Sequence, residues 1–131
     1  MNSILELANE KFYSGANKFS DNKDKIVEAC IERMNKKILS FSEMGFDSIG
    51  FDYGQILDTC YEYGIMKEDY IHFTSEQISS VIVEVGEHYK KEGFNIQYYT
   101  GRIFNKPTEP PYIEVFIRWG ESAKRHEGLN K

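Results

Sequence analysis

The sequence predicts an α+β domain, a three-stranded antiparallel sheet with helices packed on one face, in the order α-α-β-α-α-β-β. Three observations lead there. Apolar residues recur at helical spacing up to Gly45 and again between Ser75 and Glu92, whereas short stretches after each alternate with period two. Glycine closes most of these patterns. All three prolines fall in one connection, NKPTEPP, where they cannot interrupt a strand ladder. A chain of 131 residues with 40% hydrophobic and 15% aromatic content suits a single globular domain spanning residues 1–131.

The elements follow in order. Ile4, Leu5, Ala8 and Phe12 have helical spacing and Gly15 ends the pattern, which predicts a short first helix. Ser20 and Asp21 are capping residues for a second, longer helix whose stripe is Ile26, Val27, Cys30, Ile31, Met34, Ile38 and Phe41, closing on Gly45. In FDSIGFDY, residues 46–53, Ile49, Phe51 and Tyr53 alternate with Ser48, Gly50 and Asp52 as in a half-buried strand. A short helix is expected from Gln55 to Tyr63, stopped by Gly64, and a strand at 70–73. Thr74 with Gln77 forms a capping box ahead of Ile78, Val81, Ile82, Val85 and Tyr89, and Gly93 supplies the stop. The run VIVEV has strand propensity, but its cap and length favour helix. Residues 94–104 and 112–119 then form a hairpin around the proline turn. The stretch ESAKRHEGLNK, residues 121–131, has little apolar content and is expected to be a mobile tail or a frayed helical end.

Net charge is −5, unevenly spread. From Glu43 to Glu76 eight acids face the single base Lys67, whereas six bases outnumber four acids from Gly93 to Lys131. Such asymmetry speaks to partners rather than to fold. No run reaches the roughly 18 apolar residues of a membrane span, and the N-terminal stretch lacks the basic and apolar regions of a secretory signal. A cytoplasmic protein is therefore expected, with Cys30 and Cys60 as free thiols.

Catalytic chemistry finds little support. His72, His88 and His126 form no metal-binding arrangement; His72, three residues after Asp69, could serve as a base only if the fold made a cleft there. Ser79 and Ser80 lack a nucleophile-elbow context, and neither cysteine adjoins a base. Gly45, Gly50 and Gly54 are too widely spaced to cradle a phosphate. A non-enzyme with no metal and no cofactor is the expectation.

Two surfaces remain as candidates. Asp52, Asp58, Glu62 and Asp69, interleaved with Tyr61 and Tyr63, form an acidic and aromatic band that could meet a basic macromolecular partner. The plainer reading is a solvated face whose aromatics point inward. In the hairpin, Tyr112, Glu114, Phe116 and Arg118 share one strand face and Ile113, Val115, Ile117 and Trp119 the other. The aliphatic face belongs in the core, which leaves Arg118, Tyr112 and Phe116 exposed, with Arg102, for an anionic ligand or nucleotide. Overall acidity opposes direct nucleic-acid binding.

The helix ending in KKEGF, the strand and proline-containing turn after it, and the final strand closing on IRWG resemble the organisation of many small accessory proteins of tailed bacteriophages. The richness in Lys, Asn, Ile, Phe and Tyr is similar to that of products of AT-rich phage genomes. The resemblance covers residues 75–120 and implies an accessory role in infection, such as inhibiting or redirecting a host protein. It supplies no catalytic residue. The reading from sequence is a binding protein acting stoichiometrically on a host or phage protein, as a counter-defence or host-takeover factor. The alternatives are a binder of a small anionic ligand and a virion structural or assembly protein that self-associates.

Overall fold

The structure is a computed structural model and describes residues 3–65, 73–101 and 112–126. Its elements are α1 (Ile4–Glu43), β1 (Ser48–Phe51), α2 (Tyr53–Tyr63), α3 (Ser75–Lys91), β2 (Asn95–Gly101), β3 (Tyr112–Arg118) and α4 (Gly120–Arg125). The α+β class and the three-stranded antiparallel sheet are as the sequence predicts. The strand order is β1-β3-β2, so the last strand in sequence lies in the middle.

The two N-terminal helices expected from sequence are one. α1 runs unbroken for 40 residues, capped by Ser3, whose Oγ accepts from the Glu6 N–H at 3.1 Å. An interior glycine costs only about 1 kcal/mol relative to alanine, whereas a second helix would need a fresh nucleus. The helix therefore continues through Gly15, and Ser20 and Asp21 lie inside it rather than capping it. At the C-terminal end, residues 120–125 form α4, with Ser122 buried; residues 127–131 of the expected tail lie outside the described residues. The strand expected at 70–73 falls mostly outside the described residues, and Phe73 is non-helical chain ahead of the Thr74 cap. The proline turn lies outside them too.

Helix ends follow local chemistry. At the end of α1, Gly45 takes φ 88°, and the Phe46 N–H donates back to the Phe41 carbonyl at 2.9 Å, with the two rings 5.7 Å apart. α3 ends in the same way: Gly93 has φ 101°, the Phe94 N–H donates to Tyr89 O at 3.1 Å, and the rings lie 5.4 Å apart. Both are Schellman turns locked by an aromatic pair. At the start of α3 both bonds of the capping box form, Gln77 N–H to Thr74 Oγ1 at 3.1 Å and Thr74 N–H to Gln77 Oε1 at 3.0 Å.

Alternation places the core. Ile49 and Phe51 of β1, Ile96 of β2, and Val115 and Ile117 of β3 meet Val81, Ile82 and Val85 of α3 and Ile26, Cys30 and Met34 of α1, all buried. α3 packs along β3 and β2, while α1 spans β1, α2 and α3. Tyr89 sits fully inside, its hydroxyl shared between Asn35 Oδ1 at 2.6 Å and Ile31 O at 3.0 Å on α1.

Candidate functional site

The acidic band is built on α2, and the fold neutralises much of it. Asp52 is the N-cap of that helix, its Oδ1 accepting from the Gln55 N–H at 3.2 Å. Arg33, reaching across from α1, donates from Nε to Glu62 Oε2 at 2.9 Å, lies 3.9 Å from Asp58 Oδ2, and donates to Gln55 Oε1 at 2.6 Å. Lys37, one turn further along α1, donates to the same Gln55 oxygen at 3.0 Å. Burial and the neighbouring Arg33 guanidinium pull the Lys37 pKa down from its usual range. Sequence reasoning missed Arg33, Lys37 and Gln55. The available signal was two cations four residues apart on α1, flanking its apolar stripe.

Tyr61 on this helix is 74% exposed, and the Asp58 and Glu62 side chains are 68% and 60% exposed. Tyr63 is half-buried. Asp69, and with it the pair Asp69 and His72, lies outside the described residues.

The outer sheet face corrects the hairpin reading. Arg118 is not exposed but buried, at 9%. Its guanidinium donates to Gln97 Oε1 at 2.6 Å and to the Tyr99 hydroxyl at 3.4 Å, and lies 5.3 Å from the centre of the Phe116 ring. Phe116 in turn meets the Tyr99 ring edge-on at 5.2 Å and is half-buried. Cross-strand neighbours on β2 thus close over a side chain that alternation alone points at solvent. Tyr112 opens β3 opposite Gly101 in the register; Arg102 lies outside the described residues. An anion approaching Arg118 would have to displace Gln97 or Tyr99.

A third surface emerges from residues distant in sequence. Phe94 stands between Tyr89, 5.4 Å away, and Trp119, 6.1 Å away, both edge-on, so three rings form a continuous row. Two cavities flank this row and share Phe94 and Glu92. One, of about 280 Å³, is walled by Asn35, Ile38, Leu39 and Tyr89. The other, of about 260 Å³, is walled by Gly93, Trp119, Gly120 and Ala123. Leu39 forms an exposed apolar lip at 67%. Among the described residues, Glu92 is the one carboxylate in either lining, 3.5 Å from His88 Nε2. Each lobe fits a side chain better than a whole cofactor, since ligand sites usually begin at about 300 Å³.

The described residues hold no group of three or more His, Cys, Asp or Glu that could bind a metal ion. Cys30 and Cys60 are buried free thiols, pushed up by burial to about 12 and about 11, which keeps them protonated and unreactive near neutral pH. Among the described residues, no helix is long and apolar enough to cross a membrane. No protein-family model, no curated protein and no solved structure matches the chain.

Proposed function

We propose that this is a non-enzymatic binding protein acting stoichiometrically on a macromolecular partner, through the furrow around Phe94. The observation that supports it is the pair of preformed, mainly apolar lobes either side of one aromatic row, with Glu92 between them. Hot spots of protein interfaces are pockets of this kind, filled by an apolar anchor and ringed by polar groups. The matching partner segment carries two apolar or aromatic side chains with a Lys or Arg between them to meet Glu92. In the setting that the resemblance implies, that segment belongs to a host protein and the role is that of a counter-defence factor.

The α2 face is a weaker docking surface than its sequence promised, because Arg33 already pairs with Glu62 and, with Lys37, holds Gln55. The test is a displayed peptide library panned against the immobilised chain. Peptides with the apolar-basic-apolar pattern should enrich and lose binding on Leu39→Glu, a change at an exposed position that leaves the fold intact. No enrichment, or peptides that bind Leu39→Glu equally well, refutes the reading.

A further inference from the structure

The first half of α1 presents large apolar side chains that stay exposed among the described residues. Ile4, Leu5, Phe12 and Tyr13 are 81%, 70%, 64% and 65% exposed, whereas Phe19 is 7% exposed, its ring 5.5 Å from that of Phe73. At about 100° per residue, Leu5, Ala8 and Phe12 lie on the same side of the helix as Phe19 and Ile26. The exposed stripe therefore runs straight into the domain's own core seam. Continuity with the packed half supplies helix nucleation for the arm, but no burial.

The spacing along this seam is that of a heptad. Leu5, Phe12, Phe19 and Ile26 recur every seven residues, and the positions three after each are Ala8, Gly15, Asn22 and Ala29. A seam of large residues alternating with small ones is complementary to itself when reversed, because each large knob meets a small residue opposite. The mid-helix Gly15, otherwise a cost, then permits close approach of backbones. Antiparallel arms also oppose their helix dipoles.

We infer that two copies of this chain pair antiparallel through residues 4–18 of α1. The register that uses every exposed seam position without running into the core sets Leu5 against the second copy's Gly15 and Ala8 against its Phe12. This interface is separate from the furrow at the other end of α1 and does not depend on it. It lies at the small end of specific interfaces, about 1,200 Å² or less in total, so the dimer forms and dissociates with concentration.

Sedimentation of the full chain over a concentration series tests this. Wild type should move from monomer to dimer, and Leu5→Glu/Phe12→Glu should stay monomeric with unchanged circular dichroism and melting temperature. Mixed Ala8→Cys and Phe12→Cys chains should oxidise to the Ala8→Cys/Phe12→Cys heterodimer faster than Ala8→Cys links to itself; buried Cys30 and Cys60 do not interfere. A monomeric wild type, with its arm left for some different protein, overturns the inference. So does a dimer that survives the double Glu variant, or a predominance of Ala8→Cys homodimers.

Discussion

The Asp47 carboxylate accepts a hydrogen bond at 2.8 Å from the backbone N–H of Ser122, 75 residues later in the chain. The N-cap position of α4 is Trp119, which offers no side-chain acceptor, so Asp47 performs the capping from the end of the α1–β1 connection. The Asp47 carbonyl also receives the Trp119 N–H at 2.9 Å. Asp47→Ala should cost about 1 kcal/mol, the usual worth of a cap. It should also release amide-exchange protection over residues 122–126, while Asp47→Asn should retain most of both. Unchanged exchange in Asp47→Ala would mean that packing alone holds α4.

Gly86 lies mid-helix in α3, where alanine ordinarily stabilises by about 1 kcal/mol. Here an added Cβ would sit 2.5 Å from the Tyr98 hydroxyl oxygen and 2.9 Å from two ring carbons. Gly86→Ala should therefore destabilise, by about 1–3 kcal/mol as overpacking does. Tyr98, whose pKa is raised to about 12 by burial and by Glu87, should titrate closer to an ordinary tyrosine once displaced. Ultraviolet phenol titration together with urea unfolding reads both effects.

Alkaline pH should weaken the fold before acid-labile contacts matter. Burial raises Cys60 to about 11 and Cys30 to about 12 from an ordinary 9.0, and pushes Tyr89 well above 10.0. Each group ionises more easily unfolded than folded, so its stabilisation is complete below the unfolded value and drains away as pH climbs from about 9 towards about 12. The urea midpoint should fall steadily across that range. The double Cys30→Ala/Cys60→Ala variant should show a shallower fall.

The carboxylates of α2 should separate by role. Asp52→Ala removes a helix cap and should cost about 1 kcal/mol. Asp58→Ala and Glu62→Ala remove ion pairs to Arg33 from side chains that are 68% and 60% exposed, and should each cost less than about 1 kcal/mol. Chemical denaturation of the three variants side by side decides it. A Glu62→Ala cost above that of Asp52→Ala would show that the Arg33 contact is more than a surface pair.

What could be read from the sequence was local. The glycine stops at Gly45 and Gly93, the Thr74 and Gln77 box, and the alternation of Val115 and Ile117 all act within a few residues, and the fold uses each of them. Gly15 misled because a weak helix residue was weighed without the length of helix on either side. The site was far less legible. Arg33 meets Glu62 across 29 positions, and Arg118 is covered by Gln97 from 21 positions away. The furrow joins Leu39, Tyr89, Phe94 and Trp119, which no window of sequence contains together.

The strand order β1-β3-β2 sets a timetable for synthesis. β1 and β2 never touch each other as neighbours; each waits for β3, which leaves the ribosome last of the three. α1 and α2 can meet as soon as both are made, but Ile49 and Phe51 of β1 have no paired strand until residues 112–118 arrive. A nascent chain arrested at the prolines has made β1 and β2 but neither β3, which joins them, nor α4.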